Sequence, residues 1–334
     1  MLVPGLLLAG SGFEMKFGKV DKELLLMKQY EADSTAEAVV IGDVGSAGFE
    51  YNVGEGDFDL IFERHIRIKI LKKSGYGEAD FSIPLYSNGI EKENLYGLKG
   101  YTFNLVDGKE EKVKLSREMM FREEASERWT LEKFTMPNVK VGSVIDLTYK
   151  IQSDFVINLW AWEFQRNIPV AYSEYTVNIP EYFNYMRVSQ GYYPLYNIER
   201  GTTNRFIVAG GGRTSYSIFS EKYIAKKMPA IEYEDFISSP GDFVSKIEFQ
   251  LATVDFPGSP TQNIMGDWQE IEKDLRESES FGNLLNKRGF FKEELEMIDL
   301  ATENDRQKIA VIYEFVKRKM KWNQEKRLYV PQSL

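Results

Sequence analysis

Cysteine is absent from this 334-residue chain. Disulfides, thiolate metal sites and a cysteine nucleophile are therefore excluded within it. Histidine occurs once, as His65, so no site that needs two imidazoles can be built, and neither metal nor cofactor is expected. Basic residues are outnumbered, 42 Lys and Arg against 51 Asp and Glu, for a net charge of −9. That balance argues against general phosphate-backbone binding, and nucleic acid is not an expected partner. Long apolar runs are missing too. The apolar stretch at residues 2–9 (LVPGLLLA) falls short of the roughly 20 residues that cross a bilayer, so no transmembrane segment is expected. Followed by Gly10, Ser11 and Gly12, it has the apolar and small-residue parts of a secretory signal but no basic residue ahead of Lys16. Residues 1–19 thus read as a leader, a signal-peptide remnant or a disordered end. With cysteine absent, export to the periplasm or cell envelope is the expected location.

What is present is apolar and aromatic: 43% hydrophobic residues, with 22 Phe, 19 Tyr and 5 Trp. Such a chain can fill a core, which excludes global disorder, and its length suggests about two domains. From about residue 36 to 255 the dominant pattern has period two, the mark of half-buried strands. Leu60, Phe62, Ile66, Ile68 and Ile70 share one face, while Asp59, Glu63, His65, Arg67 and Lys69 occupy the other. Tyr101, Phe103 and Leu105 alternate into Asp107-Gly108, and Val113 and Leu115 alternate out, a hairpin signature. Ile145, Leu147, Tyr149 and Ile151 form a further face after Gly142, then Trp160, Trp162 and Phe164, then Tyr175, Val177 and Ile179 ending at Pro180. Arg205–Ala209, closed by Gly210-Gly211-Gly212, and Ile247, Phe249 and Leu251 complete the series. Many strands without long helices between them predict a mainly β, antiparallel sandwich-like region over 20–255.

The pattern changes after Pro257-Gly258-Ser259-Pro260, so 256–264 reads as a linker and 265–334 as a short helical segment. Asp267 with Glu270 is a capping-box pattern, after which Trp268, Ile271 and Leu275 recur at helical spacing. Thr302 with Asp305 opens a second helix, whose stripe is Ile309, Ile312, Val316 and Met320. Lys317, Arg318, Lys319 and Lys321 crowd its end, where cations complement the helix dipole.

Two stretches carry a family resemblance. Residues 160–170 (WAWEFQRNIPV), with Tyr172-Ser173-Glu174-Tyr175, Ile179-Pro180-Glu181-Tyr182-Phe183, residues 134–149 (FTMPNVKVGSVIDLTY), Met228-Pro229-Ala230 and Glu234, resemble the DUF3857 domain. That domain is typically the N-terminal β-rich part of exported bacterial proteins, many from Bacteroidetes, that carry a transglutaminase-like domain next. Residues 309–322 (IAVIYEFVKRKMKW) resemble the helix that opens the transglutaminase-like, papain-related (α+β) core. The resemblance implies an intramolecular partner, that downstream domain, whose catalytic Cys, His and Asp would lie past Leu334. No catalytic residue can be carried onto this chain, which then reads as a fragment or a truncated product.

Candidate sites follow from residue types. His65, between Glu63 and Arg67 on a polar strand face, reads as a solvated or salt-bridged strand histidine, the alternative being a general base. Trp160, Trp162 and Phe164 read as core; as an exposed platform they could instead stack sugar rings or peptide side chains, with Glu163 and Gln165 on the opposite face. Trp160, Trp162, Glu163 and Gln165 are therefore the candidate binding residues. Glu163, Glu174, Asp154 and Asp146 are carboxylates close to this region in sequence, but their spacing does not mark the pair a glycosidase needs. The glycine run at 210–212 lacks the following helix of a phosphate loop, and Gly54-Glu55-Gly56-Asp57 lacks EF-hand spacing and reads as a turn. The expected function is a non-catalytic accessory module of an exported transglutaminase-like or peptidase-like protein, supporting or presenting substrate to the downstream domain. The alternative is an envelope module that binds glycan or peptide.

Overall fold

The computed structural model describes residues 13–193, 195–209, 212–232, 240–279, 281–286, 289, 292–296 and 304–321. The apolar run at 2–9, Gly210-Gly211, Glu234, Thr302 and everything after Lys321 lie outside the described residues. Two compact units are formed, residues 1–264 and 265–334.

The first unit is mainly β. Its described elements begin with α1 (Lys22–Leu26), β1 (Ala38–Asn52), β2 (Asp57–Ile70), β3 (Asp80–Tyr86), β4 (Glu93–Val106) and β5 (Lys109–Lys114). They continue with β6 (Met120–Glu124), β7 (Trp129–Thr135), β8 (Val144–Ser153), β9 (Trp162–Glu163) and β10 (Val170–Pro180). The last are β11 (Phe183–Gln190), β12 (Tyr196–Ala209), β13 (Gly212–Met228), β14 (Lys246–Val254) and β15 (Gln262–Asn263). An eight-stranded sheet runs β12-β13-β10-β1-β2-β8-β4-β5. A second sheet orders β11-β14-β15, with β9 also on β14, and a third orders β3-β7-β6. One buried apolar cluster joins all three: Leu60, Ile66 and Ile145 from the large sheet, Tyr185 and Ile247 from the second, Ile83 and Phe134 from the third.

Most alternating runs became strands because one face meets this core, while the Phe103 face of β4 packs in a separate cluster with Leu25 and Val144. Ile145, Leu147, Tyr149 and Ile151 are all buried on β8, and Tyr175, Val177 and Ile179 on β10. The Asp107-Gly108 hairpin forms as expected: both residues have positive φ, 50° and 76°, as the right-twisting two-residue turn requires. Several expectations are corrected. Several strands are longer than ten residues, up to 17 in β13, and pairing is not wholly antiparallel, since β1 and β10 run parallel. Within 256–264, Gln262 and Asn263 pair with β14 rather than hanging as free chain.

The polar face of β2 is not a solvated one. Lys69 is fully buried, and Arg67 and Asp59 are 6% and 8% exposed. Residues 13–26, read as leader or disordered end through residue 19, lie across this face. Phe13 stacks on Tyr172 at 4.2 Å, and Leu25 packs with Phe103 and Val144. The fastening is polar: Arg67 donates to the Lys16 and Lys19 carbonyls at 2.9 and 2.8 Å, Lys69 Nζ to the Leu25 and Gly142 carbonyls, and Lys112 Nζ to the Gly18 carbonyl. Buried Arg67 and Lys69, with exposed Lys112, therefore satisfy carbonyls of a segment that makes no sheet ladder.

In the second unit α2 (Trp268–Glu277), α3 (Lys292–Glu296) and α4 (Asp305–Lys319) are helical. Asp267 and Glu270 form the expected capping box. The N-cap of α4 is Asn304, paired reciprocally with Gln307; an amide pair thus does what a Thr302 start was expected to do. Among the described residues no helix is long and apolar enough to cross a membrane.

Candidate functional site

Within the first unit the large sheet's inner face and residues 160–167 enclose a cleft of about 590 Å³, within the size range of ligand sites. Phe62 and Arg64 of β2, Tyr149 and Ile151 of β8, and Ile83 and Pro84 of β3 line it. Trp160, Trp162, Glu163, Gln165, Arg166 and Asn167 line it as well, so all four candidate residues meet there.

The expected three-ring strand does not form. Only Trp162 and Glu163 are strand, paired with Ile247 and Lys246 of β14; Trp160 lies ahead of it. Trp162, at 2% exposure, and Phe164, at 0%, are buried, so the exposed platform reduces to Trp160, which is partly buried. The Trp162 indole stacks on Tyr175 at 4.8 Å and 6°, and Nε1–H donates to Ser173 Oγ at 2.9 Å. Its ring rests on the backbone at Gly45, where a Cβ would come within 2.2 Å of it. Tyr175 OH donates to the Trp160 carbonyl at 3.0 Å and so holds the preceding loop. Gln165 Oε1 accepts from the Ser245 N–H at 3.4 Å, while Glu163 is exposed at the mouth.

The floor of the cleft is ionic. Arg64 donates through Nε and Nη2 to both oxygens of Asp43, at 2.8 and 2.5 Å, the two-pronged geometry that makes such pairs strong. Arg166 Nη1 stands 3.5 Å from the same carboxylate. Asp43 is 1% exposed, whereas the Arg64 and Arg166 side chains keep 23% and 31% exposure. Burial opposes the charge on Arg64, and Asp43 outweighs it, so its pKa lies above the ordinary arginine value. The Arg64 guanidinium also lies 4.9 Å from the Trp162 ring centroid, a cation–π distance. Near Arg166, burial pushes the Glu78 carboxyl up from its usual range, against the pull of the arginine charge.

None of the floor's three charged groups was among the candidates from sequence; Arg166 lay unremarked within the stretch 160–170. Arg64 falls in phase with Leu60, Phe62 and Ile66, so a charge interrupting an apolar face was the available signal. Asp43 had none. The β1–β2 register slips between Val40 and Gly42, and the extra residue, Ile41, reverses which side chains face inward. Asp43 thereby pairs with Ile66, and Gly45 with Arg64, on the inner side.

The remaining candidates lie elsewhere. His65 is paired with a carboxylate rather than solvated: Nε2 is 2.7 Å from Asp146 Oδ1, on the sheet face opposite the cleft. Arg67 Nε and the Gly18 N–H also donate to fully buried Asp146, which makes this cluster a fastening for residues 13–26. Glu174 accepts from Tyr172 OH at 2.5 Å, and Asp154 from the Lys92 N–H at 3.3 Å. Neither joins Glu163 in the cleft lining. Among the described residues no His, Asp and Glu cluster suited to a metal ion occurs.

The family model DUF3857, a domain of unknown function with a solved structure, matches residues 59–218. No curated protein matches the sequence. A crystal structure from Parabacteroides distasonis ATCC 8503, described as a "putative protease", superposes with a TM-score of 0.55 at 13% identity, over 85% of this chain and 50% of that one. The likeness is one of fold, and this chain spans half the length of that protein.

Proposed function

We propose that this chain is a non-catalytic β-rich module of a longer, exported peptidase-like or transglutaminase-like protein, and that its cleft holds substrate for an adjoining catalytic domain. The observation that carries this reading is the cleft itself. It offers guanidinium groups, aromatic walls and side-chain amides, which are groups that recognise a ligand. The single imidazole is bound to Asp146 on the opposite face, and thiol chemistry is excluded by composition. The DUF3857 match and a fold shared with half of a "putative protease" support a place beside a hydrolytic or acyl-transfer domain.

Two measurements test the proposal. The 334-residue chain alone is expected to leave a fluorogenic peptide library uncut, and turnover that survives repurification would refute the non-catalytic assignment. In the complete gene product, Trp160→Ala is expected to raise the peptide KM roughly tenfold with kcat unchanged, as loss of one aromatic contact implies. An unchanged KM would remove the substrate-holding role.

A further inference from the structure

We infer that the cleft recognises a peptide through a free carboxylate, received by Arg64 and Arg166. The inference rests on the reading of the cleft as a substrate-holding site and adds the chemistry of what is held. Two guanidinium groups share one buried counter-ion, Asp43. Asp43 fixes Arg64 through Nε and Nη2, and an arginine has five N–H donors, so donors remain for a ligand. Both arginines line the cleft and keep solvent contact, whereas Asp43 beneath them is sealed. The floor therefore presents two guanidinium groups oriented by a carboxylate the ligand cannot reach; the other carboxylates nearby are Glu163, exposed on the lining, and Glu78 beside Arg166, whose pKa burial raises. A planar carboxylate matches a guanidinium edge.

The surroundings favour a peptide as the carrier of that anion. Phe62, Ile83, Pro84 and Trp160 make apolar walls that lower the local dielectric and strengthen the charge pairing. Such walls suit the side chain next to a carboxylate. Sugar stacking needs open ring faces, and Trp162 is 2% exposed between its partners.

Calorimetry with the full chain decides the matter. The probes are Ac-Gly-Ala-Phe-OH, its C-terminal amide, and Ac-Gly-Glu-Phe-NH2. At least one of the two acids is expected to bind about tenfold more tightly than the neutral amide, with affinity falling as salt rises. Which acid wins tells a chain end from an acidic side chain as the source. Arg166→Gln is expected to erase the preference with the near-ultraviolet circular dichroism unchanged. Because Arg64→Gln alone strands Asp43, the paired change Arg64→Gln with Asp43→Asn serves as the second variant and is expected to give the same loss.

Equal binding of acids and amide would overturn carboxylate recognition while leaving a peptide-holding module standing, since the KM of the Trp160→Ala product fails or passes separately. A preference that persists in both variants would also overturn it. So would binding confined to an acidic oligosaccharide such as oligogalacturonate, or to inorganic phosphate, or no binding by any probe.

Discussion

Replacing Gly45 with Ala tests how the cleft wall is held. Gly45 lies within β1 opposite Arg64, and a methyl group there would stand 2.2, 2.5 and 2.9 Å from three carbons of the Trp162 six-membered ring. Alanine in place of a strand glycine would otherwise stabilise the fold by about 0.4–1 kcal/mol through the unfolded chain. Here the ring has little freedom to yield, because Tyr175 stacks on it and Ser173 accepts its N–H. Overpacking costs about 1–3 kcal/mol, and moving the ring forfeits a stack worth about 0.5–1.5 kcal/mol and a hydrogen bond worth about 1 kcal/mol. A net destabilisation of about 2–4 kcal/mol is expected, read as a lowered urea midpoint at constant slope. The control is a double-mutant cycle: with Trp162→Ala already in place, Gly45→Ala is expected to cost less than about 0.5 kcal/mol, because the atoms it meets are gone. An equal cost in both backgrounds, or no cost in either, would refute the claim that the indole rests on the sheet backbone at this glycine.

The fastening of residues 13–26 supplies two more predictions. Asp146→Ala leaves Arg67 buried without its counter-ion, and a loss of about 3–5 kcal/mol is expected in urea unfolding, partly restored by adding Arg67→Met; a loss below about 1 kcal/mol would contradict the network. Burial raises the Asp146 pKa, but His65 and Arg67 outweigh it and hold the carboxyl below its usual range, so its stabilisation is present above the unfolded value and lost as pH falls through the folded one. Acid unfolding should accordingly be shallower in Asp146→Ala than in the parent. For Lys69, burial lowers the pKa from 10.5 to about 8, so the folded state disfavours its charge. Stability of the parent relative to Lys69→Met should therefore rise as pH climbs from about 8 to 10.5, and a flat difference across that window would show that the ammonium is not desolvated.

Whatever depends on neighbours along the chain is legible in the sequence. Alternation fixes which residues share a strand face, because successive Cβ atoms point to opposite sides; Leu60, Phe62, Ile66, Ile68 and Ile70 indeed share the buried face. Turn and cap chemistry is equally local, and Asp107-Gly108 and Asp267 with Glu270 behaved as their types require. The missing cysteine excludes thiol chemistry wherever the chain goes. Other features were decided only at a distance. Alternation separates two faces without saying which of them meets water, and the polar face of β2 became buried because a segment some fifty residues earlier, at 16–19, supplied carbonyls for Arg67. Aromatic residues at period two read as strand, yet Trp160, Trp162 and Phe164 were drawn into a loop with a two-residue strand. Each had a separate partner: Tyr175 takes the Trp160 carbonyl, Ser173 the Trp162 indole, and Ser245 the Phe164 N–H. One bulge at Ile41 turned Asp43 inward beneath Arg64 and Arg166. The charges that make the cleft a candidate site thus come from three segments brought together by register and packing, which no short window of sequence contains.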